Sequence, residues 1–97
     1  MKKIFISQPM RGKTSEEIRA EREKAVEVVK AFVHDEVKVL DSYFDDFDGN
    51  PLECLAKSIA LLAKADVAYF AKGWKDARGC RIEHIYAEEY AIDRIEE

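Results

Sequence analysis

The sequence predicts a small α/β protein in which helices cover both faces of a parallel sheet. Three short segments rich in β-branched and aromatic residues, at 3–7, 36–40 and 66–71, alternate with segments of helical periodicity. This alternation is typical of parallel strands joined by helical crossovers. The third segment is apolar throughout after Asp66, as expected for a central strand that is buried on both faces. We therefore predict a flavodoxin-like, doubly wound three-layer sandwich with strand order 2-1-3. For residues 92–95 we favour a short fourth strand beside the third over a continuation of the helix.

Capping signals predict where the helices begin. The first strand, Lys3 to Ser7, is followed by a loop that contains both a proline and a glycine. The capping-box motif Thr14-Ser15-Glu16-Glu17 then predicts the start of the first helix. Asn50-Pro51 supplies an N-cap residue and a proline for the first position of the second helix. Apolar residues at helical spacing mark the buried stripes of these helices, namely Ile18, Ala25, Val29, Phe32 and Val33 in the first and Leu52, Leu55, Ile59 and Leu62 in the second.

Length, charge and composition restrict the class of protein. The 97 residues are enough for one domain, which we assign to 1–97. A net charge of −4 disfavours binding to a nucleic-acid polymer, which normally requires a basic face. No apolar run approaches the ~18 residues that span a bilayer, and the apolar stretch near the start is too short for a signal peptide. We therefore expect a cytoplasmic protein with no membrane partner.

The cysteines and aromatic residues bear on cofactors and self-association. Cys54 and Cys80 lack the spacing of metal ligands and are expected to be reduced thiols, and neither a metal nor an organic cofactor is predicted. A chain of this size buries only a small core. Trp74, Tyr86 and Tyr90 present more aromatic surface than such a core readily covers. We predict a homodimer or higher homo-oligomer that forms through the second or third helix.

The predicted topology brings two glycine-containing loops together at one edge of the sheet. In strand order 2-1-3 the switch point lies between the first and third strands, where open α/β sheets bind small ligands. The loops after these strands, Gln8 to Lys13 and Gly73 to Gly79, then face each other across one crevice. The loop from Ser42 to Asn50 lies at the side of this crevice, with Tyr43 and Phe44 as candidate lining residues.

Glu83 is the candidate catalytic residue of this crevice. We place it in the first turn of the helix that follows Gly79, where the helix macrodipole favours a negative charge and keeps the carboxylate ionised. An ionised carboxylate at the mouth of a cleft, with Asp76 in the loop before it, is a candidate nucleophile. The alternative is an ordinary helix-start glutamate on a solvated face. The adjacent His84 is expected on a different face of the helix, at the protein surface.

Several segments, taken in order, resemble a known enzyme superfamily. They are Lys3-Ile4-Phe5-Ile6-Ser7-Gln8-Pro9-Met10-Arg11-Gly12, Asp66-Val67-Ala68-Tyr69-Phe70, Gly73-Trp74, and Gly79-Cys80-x-x-Glu83. Together they resemble the nucleoside 2-deoxyribosyltransferase-like superfamily, most of all its short members of the DUF4406 type. The resemblance covers nearly the whole chain, and it is more specific for the superfamily than for one activity.

The resemblance implies a role for each matching position. In characterised relatives the glutamate at this helix start attacks the anomeric carbon of a nucleoside or nucleotide, and that role falls here on Glu83. An aspartate in the preceding loop, here Asp76, assists at the base or orients the nucleophile. The first loop approaches the sugar and, in nucleotide-hydrolysing relatives, the 5′-phosphate. Arg11 of this loop would then bind the phosphate, and the alternative is that it is a solvated loop arginine. The other positions implied near the substrate are Ser7, Gln8, Gly12, Asp66, Gly73, Trp74 and Gly79. Three roles are possible for Trp74: stacking on a base, a contact between subunits, or packing within the domain.

Two functions are open on this basis. The first is an enzyme that cleaves the N-glycosidic bond of a nucleoside or nucleoside 5′-monophosphate, or exchanges its base, through a glutamate nucleophile. The second is a nucleotide-binding sensor or accessory protein that keeps the crevice without turnover. Glu83 and Asp76 favour the enzyme, because a binding site for an anionic ligand gains nothing from additional carboxylates.

Overall fold

The computed structural model describes residues 1–42 and 49–97. Within them the chain forms a four-stranded sheet and α-helices that alternate along the sequence. The elements are β1 (Lys2–Ser7), α1 (Ser15–Val33), β2 (Val37–Leu40), α2 (Pro51–Leu62), β3 (Val67–Phe70), α3 (Arg78–Glu89) and β4 (Asp93–Glu96), with a 3₁₀ turn at Trp74–Asp76 between β3 and α3. The predicted α/β class is confirmed.

The strands lie in the order β2-β1-β3-β4, and each pairs in parallel with its neighbours. Ile4 of the central strand β1 pairs with Val39 of β2 on one side and with Val67 of β3 on the other. Val67 in turn lies opposite Asp93 of β4. This arrangement confirms the predicted order 2-1-3 and the short fourth strand beside the third.

Helices cover both faces of the sheet, because successive side chains of a strand point to opposite faces. On one face Ile6 belongs to a core cluster with Val29 of α1. On the other face Phe5 belongs to a second cluster with Leu62 of α2 and Ala87 of α3. Every residue of β3 is buried, as expected for a strand covered on both sides. The molecule is thus the doubly wound three-layer sandwich that the sequence predicted.

Both predicted helix starts are confirmed by reciprocal side-chain caps. The hydroxyl of Thr14 accepts a hydrogen bond from the backbone N–H of Glu17 at 3.1 Å, and the Glu17 carboxylate accepts one from the Thr14 N–H at 3.1 Å. Asn50 and Glu53 repeat this exchange at the start of α2, with distances of 2.9 and 3.0 Å. Pro51 occupies the first turn of α2, where its missing N–H costs nothing.

Two residues assigned to the buried stripes are exposed, and their assignment is wrong. Phe32 is 59% exposed, because Val33 rather than Phe32 packs against the core in the last turn of α1. Leu52 is 73% exposed and belongs to neither core cluster. Periodicity alone does not show which turns of a helix reach the core.

Two further expectations concern the membrane and the second loop. In the ranges 1–42 and 49–97, no helix combines the length and the apolar character needed to cross a bilayer. Tyr43 and Phe44, which were predicted beside the crevice, lie outside the described residues.

Candidate active site

A cavity of about 260 Å³ opens at the carboxyl ends of the central strands β1 and β3. Ser7 and Phe70 are the last paired residues of these strands, and the N–H of Ala71 donates to the Ser7 carbonyl at 2.9 Å. The loops after both strands therefore begin side by side. The cavity walls come from the end of β1 and its loop, from one side of α2, and from the start of α3. This is the switch-point position that the topology predicts for a ligand site.

Glu83 lies in the wall of this cavity and is only 8% exposed. The Ser7 hydroxyl donates a hydrogen bond of 2.6 Å to Glu83 Oε1, and Ser58 lines the same cavity. The alternative of a solvated glutamate is therefore excluded. The predicted position in the first turn is wrong as well, because α3 begins at Arg78 and Glu83 falls in its second turn.

Burial, rather than the helix macrodipole, controls the ionisation of Glu83. Removal from water raises the pKa of Glu83 to about 7, while the hydrogen bonds from Ser7 and Ser58 act in the opposite direction. This direction is opposite to the effect expected from the helix macrodipole, which favours the ionised carboxylate. Burial also raises the pKa of the neighbouring Cys80 to about 11, so that its thiol is neutral.

A second cavity of about 420 Å³ adjoins the first on the outer side. Pro9, Met10, Ala77 and Gly79 line both cavities. The outer cavity is lined in addition by three charged side chains, the guanidinium groups of Arg11 and Arg78 and the carboxylate of Asp76. Asp76 therefore lies beside the outer cavity and does not line the cavity that holds Glu83. The two carboxylates that the sequence predicted side by side therefore line two different, adjoining cavities.

Two glycines allow the loops to adopt the backbone that the crevice requires. Gly73 has a φ of 88°, in the left-handed region that favours glycine, and it directly precedes the 3₁₀ turn that carries Asp76. Gly12 has a φ of 80° in the loop after β1. Gly79, by contrast, has ordinary backbone angles, and a Cβ there would meet no atom within 4 Å.

Gln8 lines the inner cavity, but its amide holds the first loop against α1. Its Nε2 donates to the Ile18 carbonyl at 3.2 Å and to Glu21 at 3.1 Å, and its Oε1 accepts from Arg22 at 2.8 Å. Arg22 also donates to the hydroxyl of Ser42 at 3.2 Å. The predicted substrate-binding residue Gln8 thus already has three protein partners, and it braces the loop.

Asp66 does not reach the crevice. Its carboxylate accepts a hydrogen bond of 2.8 Å from the backbone N–H of Lys3, near the start of β1. Because β1 and β3 are parallel, this contact lies at the amino ends of the strands, whereas the cavity opens at their carboxyl ends. The structure gives Asp66 a role in joining the two central strands.

Trp74 is a packing residue in this structure. It is 8% exposed and stacks on His84, with ring centroids 4.2 Å apart and an interplanar angle of 19°. Phe70 contacts both rings, at 5.5 Å from Trp74 and 4.9 Å from His84. His84 also pairs with the carboxylate of Glu96 in β4. The expectation of a surface histidine is wrong, because the helix face next to Glu83 is covered by the loop that carries Trp74.

The sequence did not indicate the wall of the cavity that α2 forms. Cys54, Leu55 and Ser58 line it, and they were assigned only to a helix or not at all. One signal was present: Ser58 is a small polar residue inside the otherwise apolar stripe of Leu55, Ile59 and Leu62. A buried polar residue in such a stripe indicates polar surroundings, and Ser58 lines the cavity that holds Glu83.

Comparisons with known proteins assign no role to the residues of this site. No protein-family model matches the chain, and no curated protein sequence matches it. Within the described ranges, no group of three or more His, Cys, Asp or Glu side chains is placed to hold a metal ion. The features that remain are a buried carboxylate that accepts a hydrogen bond from Ser7, and an adjoining cavity lined by two arginines.

Proposed function

We propose that the protein cleaves the N-glycosidic bond of a nucleoside or nucleoside 5′-monophosphate, with Glu83 as the nucleophile. The observation that carries the proposal is a buried carboxylate that faces a cavity at the switch point of the sheet. Its pKa is affected by burial and by two hydroxyl groups, and by no neighbouring cation of the described residues. A buried carboxylate without an ion-pair partner lowers the stability of the folded state, so its presence at a cavity favours a chemical role.

The chemistry suits cleavage at an anomeric carbon. As the bond between that carbon and the base nitrogen breaks, positive charge builds on the sugar, and the nearby carboxylate stabilises it. An oxygen of Glu83 then bonds to the anomeric carbon, while the bonding electrons leave with the base, which takes up a proton. Water, or the nitrogen of a second base, displaces Glu83 and releases the sugar product. Water makes the protein a hydrolase, and a second base makes it a transferase.

The outer cavity favours a substrate with an anionic group. Its two guanidinium groups, from Arg11 and Arg78, outnumber the single carboxylate of Asp76 among its described lining residues. Guanidinium groups bind phosphate oxygens through paired, charge-assisted hydrogen bonds. This charge balance supports a monophosphate over a nucleoside as the substrate.

Incubation with nucleosides and their 5′-monophosphates, followed by chromatography of the released base, tests the proposal. Wild-type protein is expected to release base from at least one monophosphate. Glu83→Gln keeps the shape of the side chain and its ability to accept the Ser7 hydrogen bond, but it removes the nucleophile, so turnover falls by about 10³-fold or more while ligand still binds. Glu89→Gln, an exposed glutamate on the same helix, is the matched control and should retain wild-type turnover. Equal rates for wild type and Glu83→Gln would refute the nucleophile assignment.

The second candidate is a nucleotide-binding sensor without turnover. It is favoured by one observation: Asp76 lies outside the Glu83 cavity, so no second described carboxylate is placed there to protonate a leaving base. If the whole panel binds and no base is released, this second function replaces the first.

We also propose that the protein forms a homodimer through the α2–α3 face. A third cavity of about 370 Å³ lies on this face, lined by Ile59 and Leu62 of α2 and by Tyr86, Tyr90 and Ile92. Tyr90 is 77% exposed, which is unusual for so large a side chain beside apolar neighbours. A second copy that covers this face would remove that apolar surface from water.

A further inference from the structure

We propose that Arg22 of α1 is a positioning residue for Glu83: its guanidinium holds the residues on either side of Ser7, and Ser7 in turn orients the Glu83 carboxylate. The inference rests on the proposed function for its catalytic meaning, whereas the hold itself can be tested on the folded protein without turnover. Arg22 lies outside the wall of the inner cavity, so it acts on Glu83 through other residues.

The hydrogen bond between Ser7 and Glu83 is the contact through which Arg22 acts. The Ser7 hydroxyl donates to Glu83 Oε1 at 2.6 Å, and both residues are buried. Among the described residues that line the inner cavity, Glu83 alone carries a formal charge, and the other titratable groups there are the thiols of Cys54 in α2 and Cys80 in α3. The ionised carboxylate therefore depends on hydrogen bonding rather than on ion pairing. The position of the Ser7 hydroxyl consequently affects both the orientation and the ionisation of Glu83.

The guanidinium of Arg22 reaches both chain neighbours of Ser7. Its Nη1 donates at 2.8 Å to Oε1 of Gln8, the residue directly after Ser7. Its Nη2 donates to the Ser42 hydroxyl at 3.2 Å, and that hydroxyl donates at 3.0 Å to the carbonyl of Ile6, the residue directly before Ser7. A planar guanidinium with donors in fixed directions suits a bridge between two acceptors. One side chain of α1 thus fixes the backbone on both sides of Ser7.

A second anchor on α1 holds the loop after β1 in the same place. Nε2 of Gln8 donates to the Ile18 carbonyl at 3.2 Å and to Glu21 at 3.1 Å. Lys13, at the other end of this loop, donates to both oxygens of the Glu21 carboxylate, each at 2.9 Å. These charge-assisted bonds are partly buried, so salt screens them less than it screens surface pairs. Helix α1 therefore supports the site although none of its residues lines the inner cavity.

Titration of Glu83 tests the inference without reliance on activity. The side-chain ¹³C carboxyl signal of Glu83, assigned by its absence in Glu83→Gln, reports the ionisation midpoint. Ser7→Ala should raise the midpoint by about one pH unit, because a donor to the ionised form is lost. Arg22→Met should raise it by about half a unit or more, and the double variant should not exceed Ser7→Ala, because Arg22 acts through Ser7. Lys24→Met, which removes a positive charge from an exposed position of the same helix, should leave the midpoint in place.

Two further variants separate the geometry of Arg22 from its charge. Arg22→Lys keeps the charge but lacks the planar pair of donors, so most of the shift should remain. Ser42→Ala removes only the link to the Ile6 carbonyl and should shift the midpoint in the same direction by less. It also provides the test if Arg22→Met does not fold. A wild-type midpoint in folded Arg22→Met, full restoration by Arg22→Lys, or shifts of Arg22→Met and Ser7→Ala that simply add would each overturn the inference, as would an unmoved midpoint in Ser42→Ala.

The kinetic constants distinguish positioning from substrate binding. In Arg22→Met kcat should fall about tenfold or more while KM stays near its wild-type value, because a slightly misplaced carboxylate loses its alignment with the anomeric carbon. A raised KM with unchanged kcat would overturn the inference, since it would mean that the loop binds substrate instead of orienting Glu83. A wild-type protein that releases no base would overturn the proposed function alone, and the titration would still decide whether Arg22 holds Ser7 against Glu83.

Discussion

The buried Glu83 carboxylate should make the protein less stable as the pH rises, and Glu83→Gln should remove that loss. In the folded protein the pKa of Glu83 is raised to about 7 from an ordinary value of 4.5. The folded state therefore holds its proton more tightly than the unfolded state does. Stability from this group is fully present below pH 4.5 and is lost as the pH rises through 7.

The magnitude follows from the pKa difference. About 2.5 units, at about 1.4 kcal/mol per unit, correspond to a loss of about 3 kcal/mol in the free energy of unfolding between pH 4.5 and pH 8. Glutamine has the same shape and no charge to bury. We expect Glu83→Gln to unfold with nearly the wild-type free energy at pH 4.5 and to be more stable by about 3 kcal/mol at pH 8.

Urea unfolding at a series of pH values measures this difference. All other titrating groups are common to both proteins, so the difference between wild type and variant isolates Glu83. Glu89→Gln, which changes an exposed carboxylate of the same helix, should follow the wild-type profile. Parallel profiles for wild type and Glu83→Gln would refute the reasoning, because they would show that Glu83 ionises equally well in both states.

The remaining predictions concern the crevice, the subunit contact and a helix cap. Asp76→Asn should lower base release less than Glu83→Gln does, since water can protonate the departing base; single-turnover assays that show equal losses would contradict this. Arg11→Ala should weaken monophosphate binding about tenfold and leave nucleosides unaffected, as measured by calorimetry, and a uniform loss for both ligands would exclude a phosphate contact. Tyr90→Lys should convert a dimer to a monomer of 11.2 kDa in light scattering, and a wild-type protein that is monomeric at high concentration would exclude the dimer. Thr14→Ala should lower the free energy of unfolding by about 1 kcal/mol in urea through loss of the capping box, and an unchanged free energy would show that the cap contributes nothing.

The elements of the fold were predictable because their signals are local. The capping box at Thr14 and the Asn50-Pro51 pair each placed a helix start correctly. The apolar third strand identified the centre of the sheet, and the alternation of elements supplied its order. From this order the meeting of the loops after β1 and β3 followed by topology alone.

The chemistry of the site was less predictable, because it depends on burial across distant segments. Glu83 lies in the second turn of α3, and its ionisation is controlled by packing rather than by helix position. No spacing rule places Ser58 in the same cavity wall, since the two residues lie in different helices. The same limit applies to His84, whose stacking on Trp74 depends on the path of the intervening loop.

The hydrogen bond between Ser7 and Glu83 joins residues 76 positions apart in the sequence. The central strand β1 is the first in the chain, yet its partner β3 follows only after two helical crossovers. The centre of the sheet and the site above it therefore require the same folding event, the non-local parallel pairing of β1 with β3, and such pairing is slow to form. A ligand that contacts both loops can bind only after this event. It should consequently slow unfolding of the entire domain, so that resistance to proteolysis reports occupancy of the crevice even where no turnover is detected.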